Sequence, residues 1–515
     1  MKKKIIYCLV LILFGAAAVW LYLYTTPNGS GLTNDSADYI GGARSILSGT
    51  GYSRFSEDRK PRPITHFPPG YSLILAGVSV IAHEDPLRAA WQINLICFLL
   101  NLFLFMDLIK KISHSDLIAA AAAVWYLCCG PILQSHVYGL SEAVFMVFFQ
   151  LILIETLRSA ALGKNSFRWV EIGLLIGFLT MIRYSGLAVL ITVAIFIVCI
   201  FSGKMRGSVF LRLMVGFIPP IGVWLIRNAH LHANAVNRTL SLHFPASDKI
   251  HEGFMNVFSF LLPEYGGFVE KLLPIWIILG TLVLMGSIFW LFQNFRRGIK
   301  KIGIKFPALF LIVLQGVIYL LSIIFTVTFI DGSTLFDNRI LLPFYYCICA
   351  SLLTVAGLLL KSEKKFLRYA SSVLLILFAA FLFEDETDLI KTFHQDGQGF
   401  ASRTWMDSEL RKGAAGLPSD AELFCNRQTF LWLINDQPAY ILPPMYDAVD
   451  GQEWKTFEND KAWMQKDIQN GKAFAIIFNY QEMMKDTGDQ NWLNQLFEGM
   501  PVYAEYQDGI IFGLK

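Results

Sequence analysis

The sequence predicts an α-helical polytopic membrane protein of about eleven transmembrane helices, N-terminus inside and C-terminus outside, carrying a small extracytoplasmic α/β domain at its C-terminal end. Three observations lead there. Of 515 residues, 55% are hydrophobic and only 16% are charged, a balance too apolar for a soluble chain of this length. Apolar runs near the roughly 20 residues needed to cross hydrocarbon recur along most of the chain. Lys and Arg gather in alternate connections between those runs, as cytoplasmic loops require.

The runs fall at roughly 5–24, 86–108, 117–135, 139–157, 169–183, 186–202, 209–227, 273–293, 307–330, 340–360 and 366–383. The first follows Lys2 to Lys4, a pattern shared by signal peptides and anchors; no small-x-small cleavage site ends it, so it reads as an uncleaved span. With the N-terminus inside, the inside connections hold Lys110 and Lys111; Arg158, Lys164 and Arg168; Lys204, Arg206 and Arg212; Arg296, Arg297, Lys300, Lys301 and Lys305; then Lys361, Lys364, Lys365 and Arg368. The opposite connections at 136–139 and 331–338 hold none. Tyr71 to Ala82 is apolar but only about a dozen residues long, too short to span. Counting it would invert every later loop, so it reads as a helix at the outer interface. These assignments give a membrane domain over 1–383, whose first external loop is 25–85, and an extracytoplasmic domain over 384–515.

The C-terminal part alternates short strand candidates, at Glu422–Cys425, Ala439–Leu442, Phe474–Phe478 and Ile510–Leu514, with helix candidates at Gln428–Ile434, Lys461–Asn470 and Trp492–Phe497. That alternation suggests a compact α/β unit. Asp385, Asp388, His394 and Asp396 read as a solvated acidic linker into it. The net charge of +3 gives no reason to expect nucleic acid. Eight cysteines, all but Cys425 inside apolar runs, form neither a disulfide framework nor a zinc spacing. His230, His232, His243 and His251 populate the 228–272 loop, also without ligand spacing.

The residues equipped for chemistry cluster in the first external loop. Asp35 and Asp38 are three apart and Tyr39 is four from Asp35, so the three share a face if Asp35 opens a helix. Asn34, Asp35 and Ser36 equally suit an N-cap, and acids favour a first helical turn, so capping is the plainer role.

Asp35, Tyr39, Ala43 and Arg44 also stand at the spacing D-x-x-x-Y-x-x-x-A-R, followed by Pro68, Pro69, Tyr71 and Leu73, then by Arg339, Leu341, Leu342, Pro343 and Tyr345. In this order the pieces resemble the C-type-fold (GT-C) membrane glycosyltransferases that use lipid-linked sugars, notably the protein mannosyltransferase and aminoarabinose transferase relatives. The resemblance implies an inverting transfer of sugar from a polyprenyl-phosphate carrier to a lipid, glycan or protein acceptor, at the outer face of the cytoplasmic membrane. It makes Asp35 the catalytic carboxylate, with Asp38 the second candidate, and places Tyr39, Arg44 and Tyr71 near substrate. Ser36 stands where many relatives carry Glu, Phe67 where the aminoarabinose enzymes carry Lys, and Ile340 where a Tyr often follows the late Arg. Members of the family differ in whether they hold a divalent cation, so the resemblance leaves that cofactor open.

A leaving phosphate gains negative charge and must meet cations. Arg183 and Arg227 end apolar segments and Arg339 begins one. An Arg at mid-bilayer costs about 2.5–3.5 kcal/mol, so these three should face a polar cavity or snorkel to the interface. Glu142 begins a span, as a helix-start carboxylate or a site residue. His66 beside Pro68 could bind acceptor or metal, or be a satisfied loop residue. Tyr345 suits an aromatic belt or a sugar contact. The competing function is a transporter or flippase of an amphipathic lipid-linked substrate, which predicts ionisable groups at mid-depth and broken helices in paired repeats.

Overall fold

The computed structural model describes residues 2–55, 60–162, 167–231, 242, 247–262, 267–301, 306–332, 334–446 and 452–514. Lys164, His232, His243 and Lys305 of the sequence reading lie outside them. Among the described residues seven helices are long and apolar enough to cross a membrane: Cys8–Thr25, Pro86–Ser113, Glu142–Ala161, Gly203–His230, Leu273–Gly298, Pro307–Phe329 and Asn338–Leu360. Asp116–Leu127 and Gly130–Val137 meet at a 60° bend and make an eighth if they form one broken span.

Among the described residues seven or eight of the eleven expected spans therefore meet that test. Two of the expected runs are the helices Arg168–Ile182 and Gly186–Ile200, of 15 residues each. At 1.5 Å per residue such a helix reaches only about 22 Å, short of the ~30 Å hydrocarbon core. The third lies in Lys365–Asp396, where the side chains of 374 and 378–386 are outside the description. Gly70–Ala82 is a 13-residue apolar helix, also too short to cross.

The chain divides into two compact units, the first formed by Met1–Pro27, Thr65–Ile74 and Ala90–His394. The helices Arg168–Ile182 and Gly203–His230 pack closely together. A Cβ placed on Gly173 would lie 2.0 Å from the Leu213 carbonyl oxygen, and one on Gly216 would lie 2.0 Å from that of Val170. Gly173 and Gly177 are four apart, so one face of the first helix is small enough for backbone to meet backbone. Elsewhere Lys361 Nζ donates to Ser113 O at 2.8 Å, joining the C-terminal ends of Pro86–Ser113 and Asn338–Leu360. Residues 384–396, expected as a linker, are helical. His394 stacks on Tyr24 with ring centroids 4.0 Å apart and donates from Nδ1 to the Tyr24 carbonyl.

The second unit comprises Asn28–Ile64, Leu75–Ala89 and Gln395–Lys515. A two-stranded antiparallel pair, β1 (Ser53–Phe55) and β2 (Pro61–Pro63), follows the helix Asn34–Leu47. The C-terminal sheet holds β3 (Glu422–Cys425), β4 (Tyr440–Ile441), β5 (Ala473–Phe478), β6 (Val502–Tyr506) and β7 (Gly509–Phe512) in the order β4-β3-β5-β7-β6. β3 runs parallel to both β4 and β5, whereas β7 is antiparallel to β5 and β6. Every residue of β5 is buried, as a central strand covered on both faces requires. Met464, Ile468, Leu493, Leu496 and Phe497 from two helices supply core against it.

Candidate active site

Two of the three expected phosphate-binding arginines converge. Arg183 Nη1 lies 2.7 Å from Glu142 Oε1, and Arg339 Nε lies 3.3 Å from the same oxygen. Glu142 is 3% exposed, and both arginines reach it from partly open positions. Local structure explains the convergence. Glu142 is the first residue of its helix, where the unpaired N–H groups favour an anion. Arg183 is the C-cap residue of Arg168–Ile182, in extended conformation, which turns its side chain out of the helix. Arg339 is the second residue of Asn338–Leu360, started by Asp337, whose Oδ1 accepts from Ile340 N at 2.8 Å. Asp337 Oδ2 is a weaker partner of Arg339, at 3.7 Å. Arg183 Nη1 also donates to Ser141 Oγ at 3.2 Å.

Buried amides fix this cluster from below. Asn101 Nδ2 donates to Ala143 O and to His136 Nε2, both at 2.9 Å, while Asn101 Oδ1 accepts from Gln150 Nε2 at 2.9 Å. The Ile132 carbonyl facing His136 Nδ1 can only accept, so in the neutral ring Nδ1 carries the proton and Nε2 receives the Asn101 hydrogen. One asparagine thus holds the residue next to Glu142. The Arg339 side is held by the helix Ser247–Leu261. There Lys249 Nζ donates to Gly332 O at 2.6 Å, Asn256 Nδ2 donates to Phe336 O at 2.8 Å, and a Cβ on Gly253 would lie 2.8 Å from Phe336 Cβ. Tyr345 closes the loop: its hydroxyl donates to Asn338 Oδ1 at 2.8 Å, and its ring stacks on Phe260 at 4.1 Å. Tyr319 OH donates to Ile340 O at 3.0 Å.

The proline-rich end of the first loop reaches the same helix ends. A Cβ on Gly70 would lie 2.5 Å from the Met181 carbonyl, two residues before Arg183. Thr65 O accepts from Asn228 Nδ2 at 3.2 Å. His66 and Tyr71 flank these contacts; His66 packs on Phe67, and Tyr71 is fully buried. Arg227 does not join the Glu142 cluster by any described ion pair. Its guanidinium lies over the Trp224 ring, 5.1 Å from the centroid, and donates to Asn228 Oδ1, while Trp224 Nε1 donates to Tyr184 OH. Tyr138, outside the spans, has its phenol pushed upward by burial against the opposing pull of Arg339.

Asp35, Asp38, Tyr39 and Arg44 belong to the second unit. Their helix is capped by Thr33 rather than by Asp35: the Thr33 N–H donates to Ser36 Oγ at 3.0 Å and the Ser36 N–H donates to Thr33 O at 3.1 Å. Ser36 therefore has a capping role, which accounts for a serine there. Asp38 Oδ1 lies 3.4 Å from Arg54 Nη1. Arg44 is committed to Asp85 through two parallel bonds of 3.0 Å each. Tyr39 is buried.

Among the described residues no three His, Cys, Asp or Glu side chains are grouped to hold a metal ion. Among the described residues no cysteine is in a disulfide. The residues missed by the sequence reading are Asn101, His136, Ser141, Tyr138, Asp337 and Asn338. Only the Asp337-Asn338 pair, set directly before Arg339, carried a readable signal, that of a helix cap.

No protein-family model matches this chain, and no curated protein matches it. Solved structures do. ArnT from Cupriavidus metallidurans in the apo state aligns with a TM-score of 0.58 at 12% identity, over 97% of this chain and 97% of that chain. This is the GT-C fold. An oligosaccharyltransferase from Archaeoglobus fulgidus shares the GT-C architecture with a TM-score of 0.55 at 13% identity, over 98% of this chain and 73% of that one. The arabinofuranosyltransferase AftD from Mycobacteria does so with a TM-score of 0.56 at 12% identity, over 98% of this chain and 41% of that one. At such identities the likeness is one of GT-C fold, and it bears out the fold implied by the sequence resemblance.

Proposed function

We propose that this protein is an inverting glycosyltransferase that moves a sugar from a polyprenyl-phosphate carrier to a lipid, glycan or protein acceptor at the outer face of the cytoplasmic membrane. The observation that carries this reading is the convergence of Arg183 and Arg339 on buried Glu142 at the helix ends. A guanidinium offers a planar fork of five donors, suited to phosphate oxygens, and two of them can meet the charge that develops on a leaving phosphate. Glu142 holds both forks in register until the donor arrives.

Asp35 is the base in this reading. As the acceptor oxygen or nitrogen attacks the anomeric carbon, its proton passes to the Asp35 carboxylate. The bond from that carbon to the phosphate oxygen breaks, and its electron pair leaves with polyprenyl phosphate. A single displacement of this kind inverts the anomeric centre. Asp38, held by Arg54, orients the helix face, and Tyr39 and Tyr71 support the loop. The relatives lend support: a further structure of the Cupriavidus metallidurans ArnT has undecaprenyl phosphate bound, with a TM-score of 0.53 to this chain.

The test is purified protein in lipid nanodiscs, given a panel of undecaprenyl-phosphate-linked sugars and assayed for released undecaprenyl phosphate. Release that disappears in Asp35→Asn supports the reading. Full activity in that variant overturns Asp35 as the base, and no release from any donor together with donor uptake across vesicles overturns the reading in favour of transport.

A further inference from the structure

We propose that the C-terminal sheet domain sets the position of the Asn34–Leu47 helix, and with it Asp35, chiefly through Trp432. The indole ring of Trp432 fills the space a side chain at position 41 would need: a Cβ added to Gly41 would lie 2.0 Å from Trp432 Cη2. Asp35, Asp38 and Gly41 follow one another at i, i+3 and i+6, along one slowly winding ridge of the helix. A roll or shift imposed at Gly41 therefore turns both carboxylates.

A second hold lies just outside the helix start. Leu32, one residue before the cap Thr33, forms a parallel bridge with Gly399. The Phe400 N–H donates to Leu32 O at 2.9 Å. Gly399 has φ +53°, and a Cβ there would lie 2.1 Å from the same oxygen, so only glycine lets the two backbones approach. The helix is gripped at its entry by backbone and along its side by an indole.

The grip is anchored in the sheet. Trp432 belongs to Gln428–Asn435, which follows β3 directly and buries Phe430 completely. Phe430 meets Phe478 of the central strand β5 and Trp405, with ring centroids 5.5 and 4.8 Å away. Trp405 in turn meets Phe478 at 5.3 Å and Phe400 at 5.4 Å. Close-packed aromatic side chains transmit displacement rather than absorbing it. Trp432 is thus a positioning residue: it acts on the reaction through Asp35. The proposal uses the reading of Asp35 as the base, but the helix placement it asserts can be measured without any turnover.

The experiment uses the full chain in nanodiscs, wild type beside Trp432→Ala, Trp432→Phe and Gly41→Ala. Amide hydrogen exchange is followed in peptides covering 34–47 and 473–478, and turnover is followed as release of undecaprenyl phosphate from its linked sugars. Trp432→Ala should speed exchange across 34–47 by about tenfold while 473–478 stays protected. It should lower kcat about tenfold with donor KM within about twofold. Trp432→Phe should restore most of both, because a ring still fills the site. Gly41→Ala should reproduce the exchange change by pushing the helix off the indole, and it decides the matter if Trp432→Ala fails to fold. Unchanged exchange at 34–47 in both Trp432→Ala and Gly41→Ala overturns the proposal, as does an unchanged kcat in an active enzyme. Altered exchange in a protein inert toward every donor would support the placement and count against the glycosyltransferase reading alone.

Discussion

Glu142 Oε1 stands 2.7 Å from Arg183 Nη1, a carboxylate sealed from solvent meeting a guanidinium that is not. Removing the cation alone leaves a buried anion short of a partner, a change that costs about 3–5 kcal/mol when no other cation remains. Arg339 does remain, so Arg183→Met should fall at the low end of that range. Adding Glu142→Gln to Arg183→Met should recover part of the loss. Thermal unfolding of the four members of this cycle measures the coupling, and purely additive losses would show the pair to be independent.

The two aspartates of the first helix should separate by role. Asp35→Asn should reduce turnover by at least about a hundredfold, the range expected for loss of a general base. Asp38→Asn and Arg54→Ala should each cost about tenfold or less and resemble one another, since both break the same 3.4 Å contact. Steady-state rates on a common donor check this, and a larger effect of Asp38→Asn would reverse the assignment.

Backbone contact between Arg168–Ile182 and Gly203–His230 sets a steric limit. Gly173→Val would drive a branched side chain into the Leu213 carbonyl. Overpacking of this kind costs about 1–3 kcal/mol, and here it also displaces the helix whose end carries Arg183. Both melting temperature and donor turnover should fall, whereas Gly222→Ala, in open space on the partner helix, should leave both unchanged.

Cys425, in β3, has its thiol pushed up to about 12 by burial, against the opposing pull of Arg427. Measured from the ordinary value of 9.0, the native thiol should react with iodoacetamide at pH 8 slower by on the order of a thousandfold than an unfolded one. A raised native value means that this group's contribution to stability is complete below pH 9 and declines as pH climbs toward 12. Alkylation followed by peptide mass spectrometry, with and without denaturant, checks the protection.

Much of the architecture could be read because its causes are local. Glu422–Cys425 and Phe474–Phe478 are compact apolar runs, and burial on both faces makes such runs conspicuous. β6 was missed because Val502–Tyr506 is an edge strand of mixed pattern, half facing solvent. Arg168–Ile182 and Gly186–Ile200 are apolar enough to look like full spans but run to only 15 residues each, a difference of length that hydropathy alone does not expose. At the candidate site, Arg183, Arg339 and Glu142 were legible singly as charges bordering oil. Their meeting was not, since it depends on how distant helix ends come together. The Arg44 pairing with Asp85, forty-one residues on, was likewise not legible, since it joins a helix to the far end of the first loop.

The bridge between Leu32 and Gly399 has a bearing on how the molecule is made. A ribosome delivers Leu32 early and Gly399 only after the apolar helices through Asn338–Leu360. The first polar loop must therefore wait for its backbone partner until Gly399 has been made. Chains that stop before Gly399 lack that partner and cannot form the bridge.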